Sequence, residues 1–245
     1  MDTTQFEDRV AEIENYISLL RAVELEAQSG PPEIGSSAIT TCQQRMLYSS
    51  VYLHLYNLVE ATATWCTSAV ADATADGGLW NVGQLDSTVR REWVRTNLRT
   101  HTHLNPTNRL NCAFDVFEGI LNGDPIGKWG IEQGGGGNWD DGAIESVSER
   151  VGCVLKITAA IKSAAKRPFR NDKNALQYVK DLRNKLAHGS ISFEQSGENV
   201  TVQDLIDLKN RTVDYLREVV QSFKSYIDGF MYLDSTVRPL PGGSA

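Results

Sequence analysis

The sequence of 245 residues predicts an all-α protein, and three observations support this prediction. Apolar residues recur at every third or fourth position over long segments, which is the spacing of an amphipathic helix. Alternating apolar runs of four or more residues, which are typical of half-buried strands, hardly occur. Helix-ending residues such as Gly30-Pro31-Pro32 and Gly189 directly follow the periodic segments.

Two helices are predicted in the first third of the chain. The first has an apolar face and ends before Gly30; the face consists of Phe6, Val10, Ile13, Ile17 and Leu20. The second helix is longer and is predicted from Ile39 to Ala73, because Gly77-Gly78 closes that segment.

The middle third is less regular, and we predict residues 74–140 to be an irregular insertion region. Two short helices are indicated there by apolar spacing, at Val89, Trp93 and Leu98, and at Leu110, Phe114, Phe117 and Leu121. The four-glycine run 134–137 reads as a hinge or linker. Asp140 or Asp141 is then placed to cap a short helix.

The last third is again helical. Leu176, Val179, Leu182 and Leu186 form one apolar face, with Gly189 as its C-cap. A pattern similar to a capping box, Thr201-x-x-Asp204, opens a long final helix. We therefore predict one helical domain over residues 1–233 and a flexible tail at 234–245, which is rich in Pro, Gly and Ser.

Charge and composition restrict the function classes. The chain carries 24 basic and 31 acidic side chains, a formal net charge of −7. This balance argues against a bulk nucleic-acid coat, which needs many phosphate-neutralising Lys and Arg residues, but it allows a local basic site. No run reaches the roughly 18–20 apolar residues of a membrane span, and the acidic N-terminus lacks the pattern of a signal peptide. Four separated cysteines favour reduced thiols, so we expect a cytoplasmic protein without a membrane partner.

Other chemistries find little support. His101 and His103 have the spacing of half a metal site, but no acidic residue or Cys lies at ligand spacing nearby, so solvated loop histidines are the favoured interpretation. The glycine run lacks the Gly-Lys-Ser/Thr of a phosphate loop, and no G-x-S-x-G pattern is present. We therefore predict neither a metal nor a cofactor.

One polar cluster lies at the end of an otherwise apolar-faced helix, at Arg183, Asn184, Lys185 and His188. The dipole at a helix C-terminus favours the protonated form of His188, and Arg183 is a planar cation suited to phosphate. Asn184 offers both a donor and an acceptor. A solvated helix end with a capping histidine is the simpler alternative.

The pattern Arg183-Asn184-x3-His188 resembles the R-x4-6-H signature of HEPN-domain proteins, and the surroundings resemble a bacterial toxin-like branch of that family. The matching stretches are LYNLVEA (55–61), GNWDDGAIESVSERVG (137–152), RNKLAHGSISF (183–193) and TVQDLIDLKNRTVDYL (201–216). The resemblance extends from about Phe6 to Tyr232.

The resemblance implies a bundle of four or more helices that dimerises, so that two motifs form one composite cleft. It also implies a metal-independent endoribonuclease that leaves a 2′,3′-cyclic phosphate and a 5′-hydroxyl. In this interpretation His188 is the general acid or base for attack by the ribose 2′-hydroxyl. Arg183 stabilises charge in the transition state, and Asn184 positions RNA or His188.

Four further residues are weaker candidates for binding RNA or supporting the motif. Glu60 lies where the family tends to carry a polar residue facing the motif, although a buried, paired glutamate is an equal alternative. Lys185 is a candidate phosphate contact or a plain surface lysine. Arg170 and Lys173 are candidates for a local basic rim.

Three functions compete at this point. The first is a homodimeric ribonuclease toxin or antiviral effector, held in check by a neighbouring antitoxin or sensor protein, with RNA as substrate. The second is a non-catalytic HEPN module that binds a nucleotide or a partner protein. The third is a structural helical protein in which RNKLAH is only a helix end. Residues 74–110 suit either a docking surface or an RNA-selecting element.

Overall fold

The computed structural model describes residues 1–99, 105–132 and 138–239. Helices dominate these ranges, and the only strands described there are two of two residues each, so the predicted all-α class is confirmed. The helices are α1 (Thr4–Glu26), α2 (Thr41–Ala75), α3 (Ser87–Arg99), α4 (Pro106–Asn122), α5 (Asp141–Arg150), α6 (Ala159–Lys166), α7 (Ala175–Ala187), α8 (Phe193–Ser196) and α9 (Val202–Asp228). The strands β1 (Glu33–Ile34) and β2 (Ser37–Ala38) form one antiparallel hairpin between α1 and α2.

Helix α2 is the central element of the bundle. It packs against α1, α7, α8 and α9, and α9 in turn packs against α1, α6 and α7. Large side chains of α2, α7 and α9, such as Tyr52, Leu55, Leu176 and Phe223, are fully buried between these helices. Because burial of one large apolar side chain contributes about 1.5–3 kcal/mol, this shared core fixes α7 firmly against α2.

Helices α5 and α9 begin at the capping residues predicted from the sequence. The Asp140 carboxylate accepts the Ala143 N–H at 2.9 Å, and Thr201 and Asp204 form the reciprocal capping box that opens α9. Helix α2 begins two residues later than predicted. The reason is a second capping box, in which the Thr40 hydroxyl accepts from the Gln43 N–H at 3.2 Å.

The sequence does not predict two short helices, α6 and α8. Helix α6 buries only Ala165, so its apolar periodicity is weak. Helix α8 has four residues and begins at a capping box formed by Ser192 and Gln195. It packs on α2, where the Ser196 hydroxyl donates to the Ser49 hydroxyl at 2.8 Å. The chain that follows α7 is thereby fixed to the central helix.

Several predicted features fall wholly or partly outside the described residues. These are the loop histidines His101 and His103, the run 134–137 and the end of the predicted tail, 240–245. At the start of that tail, the Asp234 N–H donates to the Gln84 carbonyl at 2.8 Å. The division into a domain over 1–233, an insertion over 74–140 and a tail stays a prediction. Within the described ranges, no helix has the length and apolar character needed to cross a membrane.

Candidate active site

Helix α7 presents the polar cluster at its C-terminal end. The helix ends at Ala187, and Gly189 adopts a φ of 66°, a left-handed conformation that costs glycine little. This turn lets the Ser190 N–H donate to the Lys185 carbonyl at 2.8 Å. His188 therefore lies at the very end of the helix. Its imidazole is exposed and makes no hydrogen bond or ion pair with any described residue.

Arg183 is held by three groups. Its guanidinium carbon lies 4.5 Å from the ring centroid of Tyr56, a cation–π geometry. Its Nη2 atom is 3.8 Å from the Glu60 carboxylate, and Nη1 donates to Asn184 Oδ1 at 3.0 Å. Tyr56 and Glu60 are four residues apart on α2, so they share one face of that helix. One third of the Arg183 side chain stays exposed.

Asn184 has both ends of its amide occupied. Its oxygen accepts from Arg183, and its Nδ2 donates to Asn138 Oδ1 at 2.8 Å. These two bonds fix the orientation of the amide. Asn184 thus connects the guanidinium of the motif to the chain just before α5.

Residues 138–141, which we call the NWDD segment, contact α7 along most of its length. Asn138 bonds to Asn184 near the C-terminal end, and Asp140 forms an ion pair with Lys180. The segment also reaches the helix N-cap, where Asn174 Nδ2 donates to the Asp141 carboxylate at 3.0 Å. Successive residues of the segment therefore meet successively earlier turns of α7.

The segment is anchored on its other side as well. The Trp139 backbone N–H donates to the Tyr56 hydroxyl at 3.3 Å, and the Trp139 side chain is buried in the core. Asp141 is almost fully buried and pairs with Lys166 of α6 at 2.6 Å. Tyr56 consequently contacts both the arginine of the motif and the segment that orients the asparagine of the motif.

The remaining sequence-predicted candidates occupy ion pairs. Lys173 and Lys185 contact the two oxygens of the Asp181 carboxylate at 2.7 and 3.0 Å. Burial opposes ionisation of this carboxylate, but the hydrogen bonds from the two lysines outweigh burial and lower the pKa of Asp181. Arg170 bonds to Asp204 and to the Asn199 carbonyl, at the start of α9.

The site therefore brings Arg183, Asn184 and Glu60 together, and His188 ends the same helix. Lys173, Lys185 and Arg170 lie beside acidic partners. Over the described chain, no group of three or more His, Cys, Asp and Glu residues has the arrangement of a metal site.

Sequence reasoning assigned no role to Tyr56 or Asn138. Both lie inside stretches that carry the resemblance to HEPN proteins, LYNLVEA and GNWDDGAIESVSERVG. Tyr56 and its partner Arg183 are 127 positions apart in the chain. Asn138 and its partner Asn184 are 46 positions apart. Periodicity within one helix carries no information on such pairs.

A family model described as HEPN_MAE_28990-like HEPN matches residues 3–232, nearly the whole chain. The chain belongs to this HEPN family. HEPN domains are often ribonucleases or nucleotide-binding modules, and they typically act as dimers. Searches of curated proteins and of solved structures give no significant match. The family assignment agrees with the resemblance read from the motif at the end of α7.

Proposed function

We propose that this HEPN protein is a metal-independent endoribonuclease in which Arg183, Asn184 and His188 carry the reaction. One observation supports this most directly: the Arg183 guanidinium is fixed by Tyr56 and Asn184, on the helix whose end presents the His188 imidazole, which has no partner among the described residues. Phosphodiester cleavage without a metal requires at least a fixed cation and a titratable group at the same site.

In the proposed reaction, the ribose 2′-hydroxyl attacks the adjacent phosphorus and the bond to the 5′-oxygen breaks. A base removes the proton of the 2′-hydroxyl, and an acid protonates the departing 5′-oxygen. The products are a 2′,3′-cyclic phosphate and a 5′-hydroxyl. Arg183 stabilises the charge that develops on the non-bridging oxygens. The general acid and base together contribute about 10²–10⁴ in rate.

One chain supplies a single imidazole at the end of α7, whereas the reaction uses both a base and an acid. We therefore propose a composite site in a homodimer, with His188 of each copy taking one of the two roles. Helix geometry supports this arrangement, because residues five apart on a helix differ by about 140° in direction. Arg183 and His188 of one chain therefore flank a cleft, and in the proposed dimer the second His188 faces the same cleft.

Control of such an activity requires a partner. We propose that the protein acts as a toxin or antiviral effector in the cytoplasm, restrained by an antitoxin or sensor protein. Because the net charge is −7, bulk charge attraction does not recruit RNA to this protein, so in this proposal the RNA is recognised locally at the motif.

The test compares purified wild type with His188→Asn and Arg183→Ala on total cellular RNA in excess EDTA. Asparagine is chosen because it is polar and suits a helix end, so the turn at Gly189 is preserved. Ser190→Ala is the matched control, since Ser190 is exposed beside the motif. We expect cyclic-phosphate ends from wild type and the control, and at least a 100-fold loss in the other two variants. Equal cleavage by His188→Asn, or loss of wild-type cleavage in EDTA, would contradict the proposal.

The pairing of the neighbouring lysines with Asp181 favours one alternative, a non-catalytic HEPN module that binds a nucleotide or a partner protein. Such a module needs one accessible cation and no base. Calorimetric titration with a mononucleotide distinguishes the two functions. Binding that is lost in Arg183→Ala but unchanged in His188→Asn, without RNA cleavage by wild type, supports the module.

A further inference from the structure

A polar cavity opens between the N-terminal part of α1 and the second half of α2, outside the motif. Its volume is about 330 Å³, within the range of small-ligand sites. Side chains from both helices line it, and those with polar or aromatic groups include Gln5, Arg9, Thr64, Trp65 and Ser68. We call it the Trp65 cavity. Its lining suits a ligand that has both a charged group and a flat aromatic one.

Two side chains of the Trp65 cavity are free to bind such a ligand. The Arg9 guanidinium is exposed and forms no ion pair or hydrogen bond with any described residue. The Trp65 indole is half-buried, and its Nε1–H likewise donates to no described residue. A guanidinium binds phosphate oxygens, and an aromatic ring packs against nucleobases. Their presence in one cavity points to a nucleotide.

The other polar groups of the cavity suit the edge of a base. The Gln5 amide and the Ser68 hydroxyl each offer a donor and an acceptor, as base edges do. Among the described residues that line the cavity, Arg9 alone is charged. The nearby Glu7 carboxylate already accepts two hydrogen bonds from Arg217, at 3.0 Å each. The charge offered to a ligand inside the cavity is therefore positive.

The direction of α7 places the motif at the same end of the bundle as the cavity. The ring of Tyr178 in α7 lies 5.9 Å from that of Tyr52 in α2. Five residues later in α7, Arg183 contacts Tyr56, one turn further along α2. Helix α7 therefore runs in the same direction as α2. Its C-terminal end, which carries His188, points toward the turns of α2 that line the cavity.

Glu60 lies between the motif and the cavity on α2. Its carboxylate is 3.8 Å from Arg183 Nη2. Thr64, which lines the cavity, is one helical turn further on, about 6 Å along the axis. Residues four apart share one face of a helix, so the motif and the cavity open on the same side of α2. An RNA strand with a phosphate at Arg183 therefore reaches the cavity with a neighbouring nucleotide.

We propose that the Trp65 cavity binds one nucleotide of the RNA strand that is cleaved at the motif. This inference rests on the proposed ribonuclease activity and gives the substrate a second point of contact. The base packs against the Trp65 indole, Gln5 bonds to the edge of the base, and the phosphate pairs with Arg9. Because a base in this position is unpaired, the substrate is single-stranded on this side of the cleavage site.

Binding without cleavage tests the cavity separately from the reaction. Fluorescence anisotropy gives the affinity of a labelled single-stranded RNA for His188→Asn protein, alone and combined with changes in the cavity. We expect Trp65→Leu and Arg9→Gln each to weaken binding about tenfold, whereas Trp65→Phe keeps an aromatic ring and loses less than about threefold. The matched control is Arg21→Gln, which removes the same exposed charge about 18 Å further along α1 and should bind like the parent.

Salt dependence supplies a readout that a loss of folding does not reproduce. Removal of one phosphate contact should reduce the slope of log K against log salt concentration by about 0.7 in Arg9→Gln and leave it unchanged in Trp65→Leu. Equal RNA affinity in the parent and both variants would overturn this inference and leave the proposed cleavage untouched. Trp65-dependent binding of adenosine monophosphate, with RNA binding independent of Trp65, would also overturn it, because the cavity would then serve a free nucleotide.

Discussion

The guanidinium of Arg183 stacks on the ring of Tyr56 at 4.5 Å, and this contact joins the motif helix to the central helix of the bundle. The ring restricts the guanidinium from one side, while Asn184 fixes one of its nitrogens. An arginine placed in this way has little freedom to lose when it meets a phosphate. The Arg183 guanidinium is therefore already held in place in the free protein.

Two substitutions at Tyr56 should separate its contribution to stability from its contribution to activity. Tyr56→Phe leaves the buried Trp139 N–H without its acceptor, which costs about 1–3 kcal/mol of unfolding free energy, but it retains the ring beneath Arg183. Tyr56→Leu removes the ring as well. We expect near-normal RNA cleavage for Phe and at least a tenfold loss for Leu, measured beside urea unfolding. Equal losses in both variants would argue against positioning by the ring.

Asn138 is exposed, so its replacement should alter activity and not stability. In Asn138→Ala, the Asn184 amide loses its acceptor, and we expect kcat to fall about tenfold, equivalent to about 1.4 kcal/mol. The free energy of unfolding should change by no more than about 0.5 kcal/mol. Asn138→Asp restores an acceptor oxygen and should recover cleavage. Asn57→Ala, an exposed change on α2, is the control, and a matching loss there would refute the role of Asn138.

Gly197 marks a contact too close for any side chain. A Cβ atom there would overlap the Arg45 carbonyl oxygen and lie 2.7 Å from the carbonyl carbon, both backbone atoms of α2. Gly197→Ala should therefore push α8 away from α2 and lower the free energy of unfolding by about 1–3 kcal/mol. Gly127→Ala, with open space around its Cβ, should change stability little in the same denaturation assay. Similar values for the two variants would contradict the close contact.

Acid titration should reveal the pairing of Asp181 with Lys173 and Lys185. Because the folded pKa of Asp181 lies below its ordinary value of 3.8, the pairing stabilises the protein above that value and is lost as the pH falls through the folded pKa. The melting temperature of wild type should exceed that of Asp181→Asn at pH 5–7, by an amount equivalent to about 1 kcal/mol or less. The two should converge below pH 3. A constant difference down to that pH would contradict the pairing.

Local signals in the sequence predicted the fold well. Thr201 and Asp204 reveal a helix start because the capping interaction lies within four residues of chain. The motif at the end of α7 was predictable for the same reason, since Arg183, His188 and Gly189 occupy adjacent turns.

Contacts across the bundle could not be predicted in this way. Nothing in the periodicity of α2 selects Tyr56 over other aromatic residues as the partner of Arg183. Helix α4 shows the related difficulty: its apolar spacing predicted a helix correctly but does not state whether the stripe faces the core or solvent. The same pattern occurs on buried faces and on exposed ones, so only the three-dimensional arrangement separates them.

The packing of α9 has a consequence for the order of folding during synthesis. This helix follows the motif in the chain, yet it covers α1, α2, α6 and α7. Until residues 202–228 leave the ribosome, the apolar faces of the earlier helices lack their covering layer, and contacts so distant in sequence form slowly. The nascent chain therefore passes through a stage in which the motif has been made but the bundle that supports it is incomplete. The bundle is completed only after α9 has been made, and until then chaperones or an early-binding partner have access to the exposed helices.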